Sequence, residues 1–419
     1  MSVQKNIDLY AFGIEIGKLG YDNDLKKCFF QYNPDFLESG KFTRLFPFIF
    51  KRIKPVQIFT EYHNETFKGL PPMISDSLPD MFGNIIFQEW LKYKKINKIS
   101  PLEQLTYVAN RGMGALEYQP AQELSGNSKI EIEEIASVLQ KVLQLKNNTL
   151  SDGLSDLSLL NIFKIGTSAG GVKPKILIAE HKETGIIITG DTTVSEDYHH
   201  YLVKLHLDDE KKYNAELIEY AYYQLAQQVG IHMMPSKLID QKHFATLRFD
   251  RQNGEKIHVL TACGLTGWDF QSPENSSYEN VFKLAHALKV PHKDLEQLFK
   301  RMVFNLIFKN IDDHLKNHSF IYNPQKDTWN LAPAYDVTYA LNPLLNYTNV
   351  SRALSVNGKR KQIVYQDLLT IAQEYAIKNP KGIIEEVQQA TQNWRNIAQS
   401  VNVPNDIIEI IEKDFDRVV

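Results

Sequence analysis

The sequence predicts a bilobal α+β protein that carries a small strand-bearing module at its front. Three observations support this: strand-like alternation recurs up to Arg251, helical periodicity dominates from Glu279 onward, and 419 residues are too many for one ordinary core at about 150 residues per domain. A cleft between two lobes is then the natural place for a site.

Apolar and polar residues alternate around Ile7 to Ile16 and again around Val56 to Phe59, which predicts short strands of a small sheet. Gly69-Leu70-Pro71-Pro72 closes that stretch as a turn. Behind Pro79, the residues Met81, Ile85, Ile86 and Trp90 recur at helical spacing, predicting a helix over 80–94. A second helical pattern, Ile130 to Leu145, lies between small polar stretches at 126–128 and 151–155, and these set off residues 1–125 as an N-terminal module. Strand-like runs follow at Lys175 to Ala179, Gly185 to Thr189 and Tyr201 to Leu205, then a helical run from Ala215 to Val229 and a strand ending at Arg251. This is the pattern of a small lobe over 150–255. Apolar pairs at Leu298 to Phe308, Leu368 to Ala376 and Ile383 to Trp394 make 256–419 a helical large lobe.

Composition narrows the function. With 43% apolar and 23% charged residues the chain is globular rather than disordered or fibrous. Its 47 basic and 50 acidic side chains leave a net charge of −3, so no global field draws it to nucleic acid or an anionic membrane. Cys28 and Cys263 are its only cysteines, which excludes a disulfide framework or a thiolate metal cluster and suits a reducing cytoplasm. The N-terminus lacks the apolar core of a signal peptide and no apolar run approaches the ~20 residues of a membrane span, so a soluble cytoplasmic protein is expected.

The most specific segment is Asn305-Leu306-Ile307-Phe308-Lys309-Asn310-Ile311-Asp312-Asp313-His314-Leu315-Lys316-Asn317-His318. Asp312 and Asn317 have the Asp-x-x-x-x-Asn spacing of a phosphoryl-transfer loop, in which the Asp accepts the proton of the attacking hydroxyl and the Asn binds magnesium. That spacing favours Asp312 over Asp313 as the base. Apolar Phe320-Ile321-Tyr322, a turn at Asn323-Pro324 and the run Trp329-Asn330-Leu331 predict a hairpin that delivers Asp336 nearby as a second metal ligand. Either aspartate alone also suits a helix cap or a turn; the ordered set with Asn317 between them points to chemistry. His314 and His318 stand at i and i+4, but no Glu follows His314 as in a zinc-protease helix, so zinc hydrolysis is disfavoured and His314 reads as a loop residue.

Upstream, Gly166 to Lys175 is crowded with small residues that let backbone N–H groups approach a phosphate, although a plain hairpin turn fits equally well. Lys204 lies inside the apolar run Tyr201 to Leu205, where a buried ammonium needs a partner such as a nucleotide phosphate or Glu216. The other reading is an edge-strand lysine that reaches out to water.

These segments resemble the HipA family of bacterial toxin kinases over most of the chain. The family's loop form Asp-x-His-x-Lys-Asn stands here as Asp312-Asp313-His314-Leu315-Lys316-Asn317, its Tyr-Asp metal site as Tyr335-Asp336, and its hinge signature as Arg248-Phe249-Asp250-Arg251. The resemblance implies a bilobal protein-kinase-like fold and an ATP- and Mg2+-dependent serine/threonine kinase. Asp312, His314 and Lys316 would be its catalytic residues, and Asn317 and Asp336 its metal ligands. It assigns the nucleotide to Gly170, Gly171, Lys173 and Lys204 and to the hinge residues Leu247, Phe249 and Asp250, and it offers Thr167 and Ser168 as sites of inhibitory autophosphorylation. Leu70 to Asp80 and Arg111 to Leu116 are similar to the family's N-terminal module. The implied partners are a helix-turn-helix antitoxin of the HipB type, operator DNA through that antitoxin, and a protein substrate such as an aminoacyl-tRNA synthetase. The alternatives are a small-molecule kinase of the aminoglycoside or choline kinase kind and an inactive scaffold for antitoxin and DNA.

Overall fold

The computed structural model describes residues 6–79, 84, 87–88, 91–92, 95–96, 99–122, 129–144, 174–190, 192–207, 213–347 and 350–416. Its contacts group into two compact units. The first combines Met1–Asp209 with Ala245–Leu260 and Gly264–Gly267; the second combines Glu210–Phe244 with Thr261–Cys263 and Trp268–Val419. The fold mixes helix and sheet as expected, with most strands in the first unit.

In the first unit, β1 (Ile7–Ala11), β2 (Ile14–Asp22), β3 (Lys27–Tyr32), β4 (Val56–Phe59) and β5 (Leu116–Gln119) form an antiparallel sheet in the order β4-β3-β2-β1-β5. The period of two sends Ile7, Leu9, Leu19, Phe30, Phe59 and Tyr118 to one buried face, where Phe50 stacks on Phe30 with ring centroids 4.0 Å apart. The helix Pro101–Val108 packs on β2 and β5. Its first turn is closed by a capping box: Ser100 Oγ accepts from Glu103 N at 3.1 Å, and Glu103 Oε2 accepts from Ser100 N at 2.7 Å. Of the helix predicted over 80–94, Asn84, Phe87, Gln88, Leu91 and Lys92 are described; all are helical, and Phe87 and Leu91 are buried. The rest of it and the boundary stretches at 126–128 and 151–155 lie outside the described residues.

The predicted helix from Ile130 is observed as Ile132–Gln144. A second sheet in this unit places β6 (Lys175–His181) between β7 (Ile187–Thr189) and β8 (Tyr198–Lys204), antiparallel to both. Just past β7, Gly190 lies so close to β6 that a Cβ would come within 2.2 Å of the Ile178 backbone, so glycine is required there.

The second unit is mainly helical. Ala215–Gln228 starts at Asn214, whose side chain accepts from Glu216 N and Leu217 N. Tyr222 from this helix packs edge-on against Trp394 with centroids 5.4 Å apart, and its hydroxyl donates to Phe308 O at 2.7 Å. The run predicted from Ile383 to Trp394 is broken in the structure into Pro380–Ala390, a 3-10 turn at Thr391–Asn393, and Trp394–Ser400. Thr391 Oγ1 donates back to Gln388 O at 2.7 Å, offering the backbone an alternative to continuing the helix. Among the described residues no helix is long and apolar enough to cross a membrane.

Burial lowers the pKa of His200 to about 4, of His258 to about 3 and of His318 to about 4. The folded chain therefore holds these rings neutral, while the unfolded chain takes up protons as pH falls through 6.5. Each ring then costs on the order of 1 kcal/mol per pH unit below its solution value. Stability is expected to fall between pH 6.5 and 4. Thermal melting at pH 7.5 and pH 5 checks this, and an unchanged or higher Tm at pH 5 would contradict it.

Candidate active site

The site in the second unit grows from the end of one helix. His292–Ile307 buries an apolar face that Arg301 and Asn305 interrupt at i and i+4. The helix ends at Phe308, and Lys309, in the left-handed region at φ 58°, turns the chain into the loop. Residues 310–314 are irregular, Leu315–Asn317 make one 3-10 turn, and Ser319–Asn323 then pairs with Thr328–Leu331 as the predicted hairpin. Asn323 Oδ1 closes the hairpin turn by accepting from Gln325 N and Lys326 N.

The two adjacent aspartates have opposite environments. Asp312 leaves 72% of its side chain exposed, whereas Asp313 leaves 1% and faces inward. Of the pair, only Asp312 is open to solvent. Asn317 Nδ2 donates to Asp312 O at 2.8 Å, which commits the amide nitrogen to the loop and leaves Oδ1 as the atom available to a cation. His314 Nε2 lies 4.0 Å from Asp312 Oδ1; its ring packs on Phe270 with centroids 4.9 Å apart, and the Lys316 ammonium sits 5.0 Å from the Phe270 ring centre. Asp312, His314, Lys316 and Asn317 are thus gathered in one loop stiffened by local contacts.

The hairpin carries the chain to Asp336, and the approach is pinned throughout. Ala332 N donates to Ser319 O at 2.9 Å, Arg301 Nη2 donates to Ala332 O at 2.8 Å, and Ala334 N donates to His232 O at 2.8 Å. The Tyr335 hydroxyl donates to Lys316 O at 2.6 Å and lies 2.5 Å from Ser319 Oγ. Asp336 itself has φ 52°, a conformation a non-glycine residue adopts at a cost, and its carbonyl accepts from Asn310 Nδ2 at 3.2 Å. Its half-buried carboxylate and the Asn317 amide are hard oxygen donors of the type magnesium takes.

The remaining predicted site residues belong to the first unit. Lys204 is buried at the end of β8, opposite Lys175 in register. Leu247 and Phe249 are half-buried, and the residues that alternate with them, Arg248 and Asp250, are buried. Arg248 grips Asp250 through both carboxylate oxygens, with Nε to Oδ1 at 2.9 Å and Nη2 to Oδ2 at 2.8 Å. Arg251 Nη1 and Gly114 N add bonds to Oδ2 at 2.7 and 3.1 Å, and Arg251 Nη2 reaches Gly112 O at 2.9 Å. Burial alone would raise the Asp250 pKa, but the two guanidiniums outweigh it and hold the carboxyl well below the usual range. The Asp250 carboxylate thus ties the Arg-Phe-Asp-Arg segment to the N-terminal module. Lys256 extends the tie to Asn110 O, Leu116 O and Glu117 at 3.1, 3.2 and 3.4 Å.

Gly170, Gly171, Lys173, Thr167 and Ser168 lie outside the described residues. Sequence reasoning also passed over Tyr278, Asn305, Asn310 and Arg352, which bond around Asp313 and Asp336. A polar pair at helical spacing in an apolar run, Arg301 and Asn305, was the signal that could have found part of that set.

Comparison with known proteins identifies a family and a fold. A family model described as HipA-like C-terminal domain matches residues 167–394, more than half of the chain, and one described as HipA N-terminal domain matches residues 7–119. The "Putative kinase Y4dM" of Sinorhizobium fredii is 22% identical over 204 residues, which cover 44% of this chain and 49% of that protein. The serine/threonine-protein kinase toxin HipA of Shewanella oneidensis is 24% identical over 186 residues, covering 38% of this chain and 40% of that protein. The chain thus spans about half the length, or less, of the curated relatives it matches. A chain of the solved Shewanella oneidensis toxin–antitoxin complex of HipA, HipB and operator DNA superposes with a TM-score of 0.65 at 17% identity, covering 97% of this chain and 94% of that one. At that identity the likeness shows the fold.

Proposed function

This chain belongs to the HipA family, and from that premise we propose that it is an ATP- and Mg2+-dependent serine/threonine kinase and the toxin of a toxin–antitoxin pair. The observation that carries the reading is the division of labour between Asp312 and Asp313, one presented to solvent and one locked inside, in a loop that also orients Asn317. Asp312 accepts the proton of the attacking hydroxyl; Asn317 Oδ1 and the Asp336 carboxylate hold the cation. Magnesium, when bound, neutralises charge on the transferred phosphoryl group. Lys204 steadies nucleotide phosphates, and the backbone around Leu247 and Phe249 receives adenine. His314 and Lys316 hold the loop against Phe270, so their roles are to keep Asp312 and Asn317 in place.

The Shewanella HipA was solved with HipB and operator DNA, which supports a small DNA-binding antitoxin as this chain's partner. With a net charge of −3 the chain itself has no overall attraction for DNA, consistent with contact made through that partner. A component of translation such as an aminoacyl-tRNA synthetase is the proposed substrate.

Transfer of labelled γ-phosphate from ATP, with and without Mg2+, to the chain itself or to a discrete band in a host extract tests the reading. Asp336→Asn is expected to lower Mg2+-dependent transfer by about 10²-fold or more while the protein still melts cooperatively, because it removes a ligand charge from a half-buried site. Label appearing on aminoglycosides or choline and on no protein would overturn the assignment in favour of a small-molecule kinase. Absence of any transfer would favour a binding role.

A further inference from the structure

Asp313 takes no part in the proposed chemistry, yet both of its carboxylate oxygens accept hydrogen bonds. Its Oδ2 accepts from Arg352 Nη2 at 2.5 Å and from the Tyr278 hydroxyl at 2.6 Å, and its Oδ1 accepts from Leu354 N at 3.4 Å. The Tyr278 oxygen in turn accepts from Asn305 Nδ2 at 3.0 Å. Asn305 Oδ1 accepts from Asn310 Nδ2 at 3.1 Å, and the same Nδ2 reaches the Asp336 carbonyl at 3.2 Å. Tyr278, Asn305, Asn310, Asp313 and Arg352 are each 5% exposed or less. A polar chain of this length, buried in an apolar core, is costly unless every link is made, and here consecutive links run without interruption from one loop to the other.

The chain joins elements that are distant in sequence. Tyr278 opens the helix Tyr278–Leu288, Asn305 lies near the end of His292–Ile307, and the segment of Arg352 also bonds the loop through Ala353 N to Ile311 O at 2.7 Å. At one end it fixes the residue next to Asp312. At the other it holds the carbonyl of Asp336, whose φ of 52° needs outside support. We propose that Tyr278 and Asn310 are positioning residues for phosphoryl transfer: through Asp313 and the Asp336 carbonyl they set the catalytic loop and the metal-binding loop in register with each other. This rests on the kinase reading of the same site. Burial raises the Tyr278 pKa well above its ordinary value, with Asp313 adding to the effect, so the hydroxyl stays protonated and keeps donating.

Tyr278→Phe cuts the chain in the middle with little change of volume, and Asn310→Ala cuts it at the metal-loop end. Each is compared with the full-length wild type by melting, by labelled phosphate transfer across a Mg2+ titration, and by backbone hydrogen exchange at 311–317 and 333–338. Both variants are expected to slow transfer roughly tenfold or more and to require more Mg2+ for half-maximal rate, with the KM for ATP within about twofold of wild type. Tyr278→Phe is expected to speed exchange at 333–338 although its hydroxyl touches nothing there. The double variant is expected to be no slower than the worse single one, since both break one chain. Cooperatively melting variants with unchanged Mg2+ requirement and unchanged exchange at 333–338 would overturn the proposal, as would simple addition of the two effects. A wild type that transfers no phosphate sinks the kinase reading instead, and the exchange measurement then decides on the coupling alone.

Discussion

Asp312→Asn is expected to lower phosphoryl transfer roughly 10²–10⁴-fold, the usual contribution of a positioned general base. Stability should stay within about 0.5 kcal/mol of wild type, because the side chain is 72% exposed and the loop contact it supplies, the carbonyl that Asn317 holds, is unchanged by the substitution. Single-turnover transfer at saturating Mg-ATP, paired with a thermal melt, measures both quantities. A variant that transfers within threefold of wild type, on the order of 0.6 kcal/mol of barrier, would remove Asp312 from the chemistry. Inactivity accompanied by a lost melting transition would show that the residue is structural. Growth should follow the same line: expression of the wild type without a partner arrests cells and expression of the variant does not.

The largest effect on stability is expected at Asp250. Replacing it by Ala leaves Arg248 and Arg251 buried side by side without the carboxylate between them, and strips Gly114 N of its acceptor. Breaking a buried charge pair from one side typically costs about 3–5 kcal/mol, because the remaining charges keep their desolvation penalty. Against a total stability of roughly 5–15 kcal/mol this is enough to reduce soluble yield at 37 °C. Denaturant titration should show a lower midpoint, and a loss under about 1 kcal/mol would mean that water enters and solvates the guanidiniums. Asp250→Asn, which keeps the shape and removes the charge, should fall between wild type and Ala.

How much of this was legible in the sequence depended on distance along the chain. Asp312, Asn317 and Asp336 could be read because the chemistry demands a local spacing, and the hairpin between them follows from alternation and the Asn323-Pro324 turn. The helices Ala215–Gln228 and His292–Ile307 were likewise visible from periodicity. The different fates of Asp312 and Asp313 were only half visible. Spacing favours the first, but nothing local shows that Arg352, 39 residues away, and Tyr278, 35 residues away, hold the second inside. Asp250 hid its partners for the same reason. Within its own segment it looks like a ligand-facing hinge residue, and the group that completes its cage, Gly114 N, lies 136 residues upstream. The break at Thr391–Asn393 escaped notice because a single hydroxyl competing for a backbone carbonyl barely alters an apolar pattern.

That 136-residue separation also orders events in time. Chains emerge from the ribosome at roughly 5–20 residues per second, so the turn at Gly112–Gly114 waits on the order of ten seconds before Asp250 and Arg251 appear. The first unit takes in Ala245–Leu260 and Gly264–Gly267, with Glu210–Phe244 of the second unit synthesised in between. The N-terminal sheet therefore spends the interval as an unfinished body, and the nascent chain acquires its buried charge cluster only once the segment from Arg248 to Arg251 has been made.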